Sequence, residues 1–116
     1  MLVMTRREGA TVYGGKSLTA DIEQTYDHAI RVERIVDNFG KRVAEISVRD
    51  RDGGYSVYTL TPKDNEFRIG NDLRVVMIGL HSMPVRDGGI APTLRLGFDA
   101  PLSYKLIRDD AIRRTR

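Results

Sequence analysis

The residues best placed to do chemistry are three arginines. Arg6 and Arg7 close a short alternating run near one end of the chain, and Arg108 closes another near the other end. A guanidinium carries a permanent charge on a planar fork of N–H donors, so arginines at strand ends are natural ligands for phosphates and base edges. They are just as often simply solvated, and residue chemistry alone leaves both readings open. Catalysis has weaker support. No Ser-His-Asp or Cys-His pattern is evident, and the carboxylates are scattered through turn-like contexts, so an enzyme is not expected. Gly14-Gly15-Lys16-Ser17 has the look of the end of a phosphate loop. The first glycine of such a loop would fall where Ala10 stands, so a β-turn with a solvated lysine is the simpler reading. Cysteine is absent, which rules out disulfides and thiolate metal sites, and His28 and His81 lack metal-ligand spacing. No cofactor or metal is expected.

Elements that could position the arginines are short and alternating. Val43–Val48 and Tyr55–Leu60 flank Arg51-Asp52-Gly53-Gly54 and read as a hairpin. Ala29–Val36 runs into an Asn38-Phe39-Gly40 turn, and Asn71-Asp72 opens the run Leu73–Ile78. Leu94–Phe98 alternates again, Ala100-Pro101 ends it, and Leu102–Ile107 is the last expected strand. Met83–Thr93, with its prolines and glycines, reads as a loop. Helical spacing occurs in two places. One is Ser17–Ile30, through Leu18, Ile22, Tyr26 and Ala29 or Ile30. The other is the C-terminus, where Asp109 is expected to cap a short helix supported by an Asp109–Arg113 pair. Short strands between turn signals indicate an all-β fold, and the lack of strand–helix alternation argues against a nucleotide-binding α/β sheet.

The chain has 116 residues, enough for one domain or two very small ones. With 30% charged and 41% apolar residues it reads as globular rather than disordered. No apolar run approaches the roughly 20 residues needed to span a bilayer. The apolar stretch at Met1–Met4 is too short and too early for a signal peptide, so no membrane association and a cytoplasmic location are expected. A net charge of +3 permits a polyanionic partner without demanding one.

Three blocks together resemble the carbon storage regulator (CsrA/RsmA) family of bacterial RNA-binding translational regulators. Met1-Leu2-Val3-Met4-Thr5-Arg6-Arg7-Glu8-Gly9 resembles its first strand. Phe67-Arg68-Ile69-Gly70-Asn71-Asp72-Leu73 resembles the turn between its second and third strands. Thr93–Asp110 resembles its fourth strand, Ala-Pro turn, fifth strand and closing arginine. The resemblance implies small interlocked antiparallel β-sheets with a short C-terminal helix. The first strand of one subunit would lie beside the fifth strand of the other, forming a basic edge for single-stranded or hairpin-loop RNA containing GGA. By position it assigns the RNA contacts to Leu2, Met4, Thr5, Arg6 and Arg7 on the first strand. Ala100 and Pro101 fall at the turn, and Tyr104, Leu106, Ile107 and Arg108 on the fifth strand, with Arg108 the most important. The implied function is repression of translation, or altered mRNA stability, through GGA sites in mRNA leaders or small RNAs. The alternative is a protein-interaction module on the same fold with weakened or lost RNA binding, and a protein antagonist is a further expected partner class.

The chain is about twice the length the family pattern needs, with Val12–Glu66 and Met83–Pro92 as extra segments. Parts of the extra segment echo the pattern. Gly40–Val48 resembles a turn and fourth strand, and Tyr55–Tyr58 a fifth strand with Thr59 in place of the arginine. Leu60-Thr61-Pro62-Lys63 faintly resembles a first strand. A single domain over 1–116 built from degenerate repeats 1–60 and 61–116 is therefore the favoured organisation, folded as a fused pseudo-dimer. It implies a monomer with one working RNA site and a dead site opposite. The other organisation is a family member with an unrelated insertion, which implies a homodimer.

Overall fold

The computed structural model describes residues 1–38 and 40–112. Among these the chain forms nine strands: β1 (Leu2–Arg6), β2 (Thr11–Gly15), β3 (His28–Asn38), β4 (Lys41–Asp50), β5 (Tyr55–Leu60), β6 (Glu66–Ile69), β7 (Leu73–Pro84), β8 (Ile90–Asp99) and β9 (Lys105–Arg108). A single helical turn, α1 (Ile22–Thr25), and a 3-10 turn at Asp109–Ala111 complete it. All pairing is antiparallel, in a sheet ordered β1-β8-β7-β6 and a sheet ordered β5-β4-β3-β2-β9. The protein is thus all-β. No helix of the described residues is long and apolar enough to cross a membrane.

Alternation explains the layering. Along β3 and β4, Ile30, Val32, Ala44, Ile46 and Val48 are buried while Arg31, Lys41, Arg42 and Arg49 face water. Period-two burial of this kind puts one face of each sheet against the other. Val32, Ile46 and Leu60 of one sheet join Val75, Leu80, Leu94 and Phe98 of the other in one continuous core. At its margin Tyr58 stacks on Phe67, ring centroids 4.0 Å apart, where the chain passes from one sheet to the other.

Pairing registers recur between the two halves of the chain. Ala29↔Arg49 and Val32↔Ile46 have the same places in β3–β4 as Arg74↔Asp99 and Met77↔Leu96 in β7–β8. Each hairpin then shifts register at the next step, between Val32 and Arg34 and between Met77 and Gly79. Val12↔Ile30 matches Phe67↔Val75. Met4↔Leu96 and Arg6↔Leu94, where β1 lies on β8, match Tyr58↔Ile46 and Leu60↔Ala44, where β5 lies on β4. The first strand of each half therefore lies on the fourth strand of the other half. β9 crosses in the same sense, from the second half onto β2, with Tyr13↔Ile107 and Gly14↔Leu106. Glycine is required at that crossing: a Cβ on Gly14 would lie 2.6 Å from the Tyr104 ring.

Several expected elements differ. Of the stretch Tyr55–Lys63, read as the end of one repeat and the start of the next, Tyr55–Leu60 forms the one strand β5 and Thr61–Lys63 lie beyond it. Its hairpin turn is tight, with the Asp50 N–H bonded to the Gly54 carbonyl at 2.9 Å and Gly53 at φ 94°, so Tyr55 returns along β4 and cannot reach the other sheet. Met83–Thr93 is not a loop: β7 and β8 extend to Pro84 and from Ile90, and only Val85–Gly89 turns. Ladder pairing needs backbone groups, and Pro92, opposite Ser82, is accommodated without an N–H. The helical spacing of Ser17–Ile30 produces only α1, because His28, Ala29 and Ile30 are recruited to β3 by pairing with β4. The last strand starts at Lys105, after a turn closed by the Tyr104 N–H on the Pro101 carbonyl at 2.9 Å. The expected C-terminal helix is a 3-10 turn whose N-cap is Arg108, without a side-chain cap. Asp109 is occupied elsewhere, and Arg113 lies outside the described residues.

Candidate nucleic-acid interface

β1 and β9 are the terminal strands of different sheets. Each leaves a row of N–H and C=O groups without a strand partner, the feature that lets a sheet edge receive an extended ligand. The two strands do not pair with each other. They are brought together along two hollows. At one end Met1 and Leu2 face Ala100, Pro101, Tyr104, Lys105 and Leu106 across about 270 Å³. At the other, Thr5, Arg6, Arg7 and Glu8 face Arg108, Asp109 and Asp110 across about 570 Å³.

Nine of the eleven residues singled out from the sequence line these hollows: Leu2, Thr5, Arg6, Arg7, Ala100, Pro101, Tyr104, Leu106 and Arg108. Met4 does not. Its side chain alternates inward and is buried in the core, so only its backbone lies on the edge. Ile107 lies instead in a separate hollow with Leu18, Ile22 and Ile112.

Arg6 is buried, 5% exposed, and its guanidinium is held by Asp109 and, at 3.7 Å, by Asp110. Its Nε has no partner among the described residues. Asp109 also accepts the Thr11 N–H at 2.8 Å, which ties the end of β9 to the start of β2. Arg6 is thus a buried structural cation, not an open phosphate ligand. Arg108 is clasped in a two-point fork by Asp110, Nε to Oδ1 at 3.0 Å and Nη2 to Oδ2 at 2.8 Å. These hydrogen bonds, and then the charges of Arg108 and Arg6, hold the Asp110 carboxyl below its ordinary value. Arg7 is exposed and makes no ion pair among the described residues. Three arginines meet three carboxylates here, counting Glu8, so the hollow is close to neutral. Asp109 and Asp110 escape a sequence reading because Arg6 is distant in sequence. The visible signal was the adjacency Arg108-Asp109-Asp110.

Tyr104 is buried beneath the turn after β8, with its hydroxyl 2.8 Å from His28 Nδ1. Burial pushes its phenol well above the ordinary 10.0, and Asp27 and Asp72 add to the shift. Because the folded state favours the neutral phenol, the resulting stability is complete below pH 10 and lost as pH rises further. Tyr104→Phe should cost about 0.5–1.5 kcal/mol at neutral pH through the lost hydrogen bond. It should also fall less steeply than wild type above pH 10. Urea titrations at neutral and alkaline pH check both, and parallel alkaline losses would place the phenol in water. The Gly14-Gly15-Lys16 segment ends β2, and Lys16 pairs with Asp72 at 3.1 Å.

Comparison of the chain with protein-family models, with curated proteins and with solved structures finds no match in any of the three.

Proposed function

We propose that the chain is an RNA-binding regulator of the carbon storage regulator type, with two degenerate copies of the family pattern fused as a pseudo-dimer. It binds GGA in single-stranded or loop RNA and thereby represses translation or alters mRNA stability in the cytoplasm. One observation carries the reading. The sequence blocks that resemble the family's first and fifth strands, far apart in the chain, are both edge strands lining shared hollows. Unpaired RNA bases expose their edges, and free backbone groups on two strand edges, with Thr5 and Arg7 beside them, supply complementary donors and acceptors. The recurring registers support the fused pseudo-dimer. In this arrangement the first half has no fifth strand of its own, so the repeats meet near the Arg51–Gly54 turn rather than after Leu60.

A second reading, a protein-interaction module on this fold, is favoured by the near-neutral hollow and the carboxylates that clasp Arg6 and Arg108. A titration with a GGA-loop hairpin and a CCA-loop control separates the two. The RNA reading expects about tenfold or greater preference for GGA at moderate salt, worth ~1.4 kcal/mol. Equal binding of both hairpins overturns it, since affinity without base preference is phosphate electrostatics. Light scattering with a stoichiometric titration tests the fusion: a monomer taking one GGA hairpin is expected, and a stable dimer with one hairpin per chain overturns it.

A further inference from the structure

The recurring registers give the Arg7–Arg108 hollow a counterpart in the other half of the chain. Pairs Asn38↔Lys41, Asp37↔Arg42 and Val36↔Val43 have the places of Met83↔Ala91, Ser82↔Pro92 and His81↔Thr93. As Leu60 stands where Arg6 does, Thr61 and Pro62 follow where Arg7 and Glu8 follow. A groove of about 480 Å³ is found there, lined by Asn38, Gly40, Lys41, Arg42, Val43, Thr61, Pro62 and Lys63.

Its electrostatics are the reverse of those expected from the arginine motifs. The Arg7–Arg108 hollow is close to neutral, whereas this groove gathers three cations and, among the described residues, no lining carboxylate. Lys41 and Arg42 take the places of Ala91 and Pro92. Among the described residues no strand corresponding to β9 crosses here, and no counterpart of Asp109 or Asp110 lines the groove. Arg42 is fixed in place, donating from Nη2 to the Leu80 carbonyl at 3.0 Å and lying 3.5 Å from Asp37. Lys41 and Lys63 are exposed and make no ion pair among the described residues. Two open ammonium groups beside a braced guanidinium suit successive phosphates of a flexible strand. Val43 and Pro62 add apolar surface, and the neutral side-chain donors of the lining are limited to the Asn38 amide and the Thr61 hydroxyl, too few to read a run of bases.

We propose that this groove is a phosphodiester-backbone site that holds single-stranded RNA by Lys41, Arg42 and Lys63 without selecting bases. The choice of RNA as the polyanion rests on the function proposed above; the cationic groove does not. An oligouridine, which lacks GGA, is the probe. Its binding to the full chain is followed by fluorescence anisotropy at several salt concentrations, for wild type and for K41A/K63A, which leaves the braced Arg42 untouched. The double variant should bind oligouridine more weakly and flatten the slope of log affinity against log salt by about 0.7 per lost phosphate contact. Its GGA-to-CCA ratio should stay at the wild-type value. No oligouridine binding by wild type, or an unchanged slope and affinity in the variant, overturns the proposal. Loss of oligouridine binding in the variant, with no GGA preference in wild type, supports this groove and overturns the GGA reading instead.

Discussion

Arg6→Ala should lower the stability of the protein by about 3 kcal/mol, the largest loss expected from any one side chain of the candidate site. Breaking a buried ion pair typically costs ~3–5 kcal/mol, and the lower end applies because the Asp109 side chain keeps 34% of its surface in water. The alanine removes the partner that neutralises Asp109, unties the end of β9 from β1, and leaves a void where the buried side chain stood. Arg6→Leu should behave differently. Leu60, which has the register place of Arg6 in the other half, is fully buried there, so the fold already accepts leucine at this position. Asp109 can turn to water and keep the Thr11 N–H. A loss within about 1 kcal/mol is expected, since apolar replacement of a buried ion pair is often nearly neutral. Urea unfolding of the two variants decides the matter. A leucine variant as unstable as the alanine variant would mean that the ion pair itself, and not the packing, holds β9 in place.

This contrast marks how far the sequence could be read. The strands were legible because their evidence is local: alternation along Val43–Val48 and Leu94–Phe98, and the Asp-Gly-Gly turn at Asp52–Gly54, each lie within a few residues. Most of the candidate site could be placed for the same reason, as ends and turns of identifiable strands. What Arg6 does there could not, because its partner Asp109 lies at the other end of the chain and meets it only through non-local pairing, whereas the Arg108–Asp110 fork spans two residues. That Arg6 is buried follows from β1 lying on β8, and that it is neutralised follows from β9 lying on β2. Met4 and Arg6 share a face of β1, so the period-two rule that makes Met4 core also buries Arg6. The extra length of the β7–β8 hairpin was hidden for a different reason. Pro84, Gly88, Gly89 and Pro92 are turn signals in composition, yet backbone pairing carries through Pro92. The basic groove was obscured because Lys63 is some twenty residues from the adjacent Lys41 and Arg42 and stands in a segment read as decayed.

The Arg108–Asp110 fork supplies the sharpest test of the proposed RNA edge. Arg108→Ala should weaken GGA-hairpin binding roughly tenfold to hundredfold, the loss of a charge-assisted contact worth ~1.5–3 kcal/mol. The fold should survive, because Arg108 is exposed and lies at the end of its strand. Asp110→Asn should act in the opposite sense. Asp110 fills the donor fork that a phosphate or base edge needs, and its carboxyl is held below the ordinary 3.8, so lowering the pH within the range where RNA is handled does not open the fork. A displacing ligand has to compete with the carboxylate instead. The pair is largely exposed, so releasing Arg108 should raise affinity only about threefold. The two changes are in contact and should couple. If Asp110 acts by occupying Arg108, then Asp110→Asn gains nothing in a protein that already carries Arg108→Ala. If instead it repels the RNA directly, the threefold gain persists in both backgrounds. An Arg108→Ala protein that folds and binds the hairpin as wild type does would remove Arg108 from the interface, and with it the strongest residue-level support for the β1–β9 edge as the place where GGA is read.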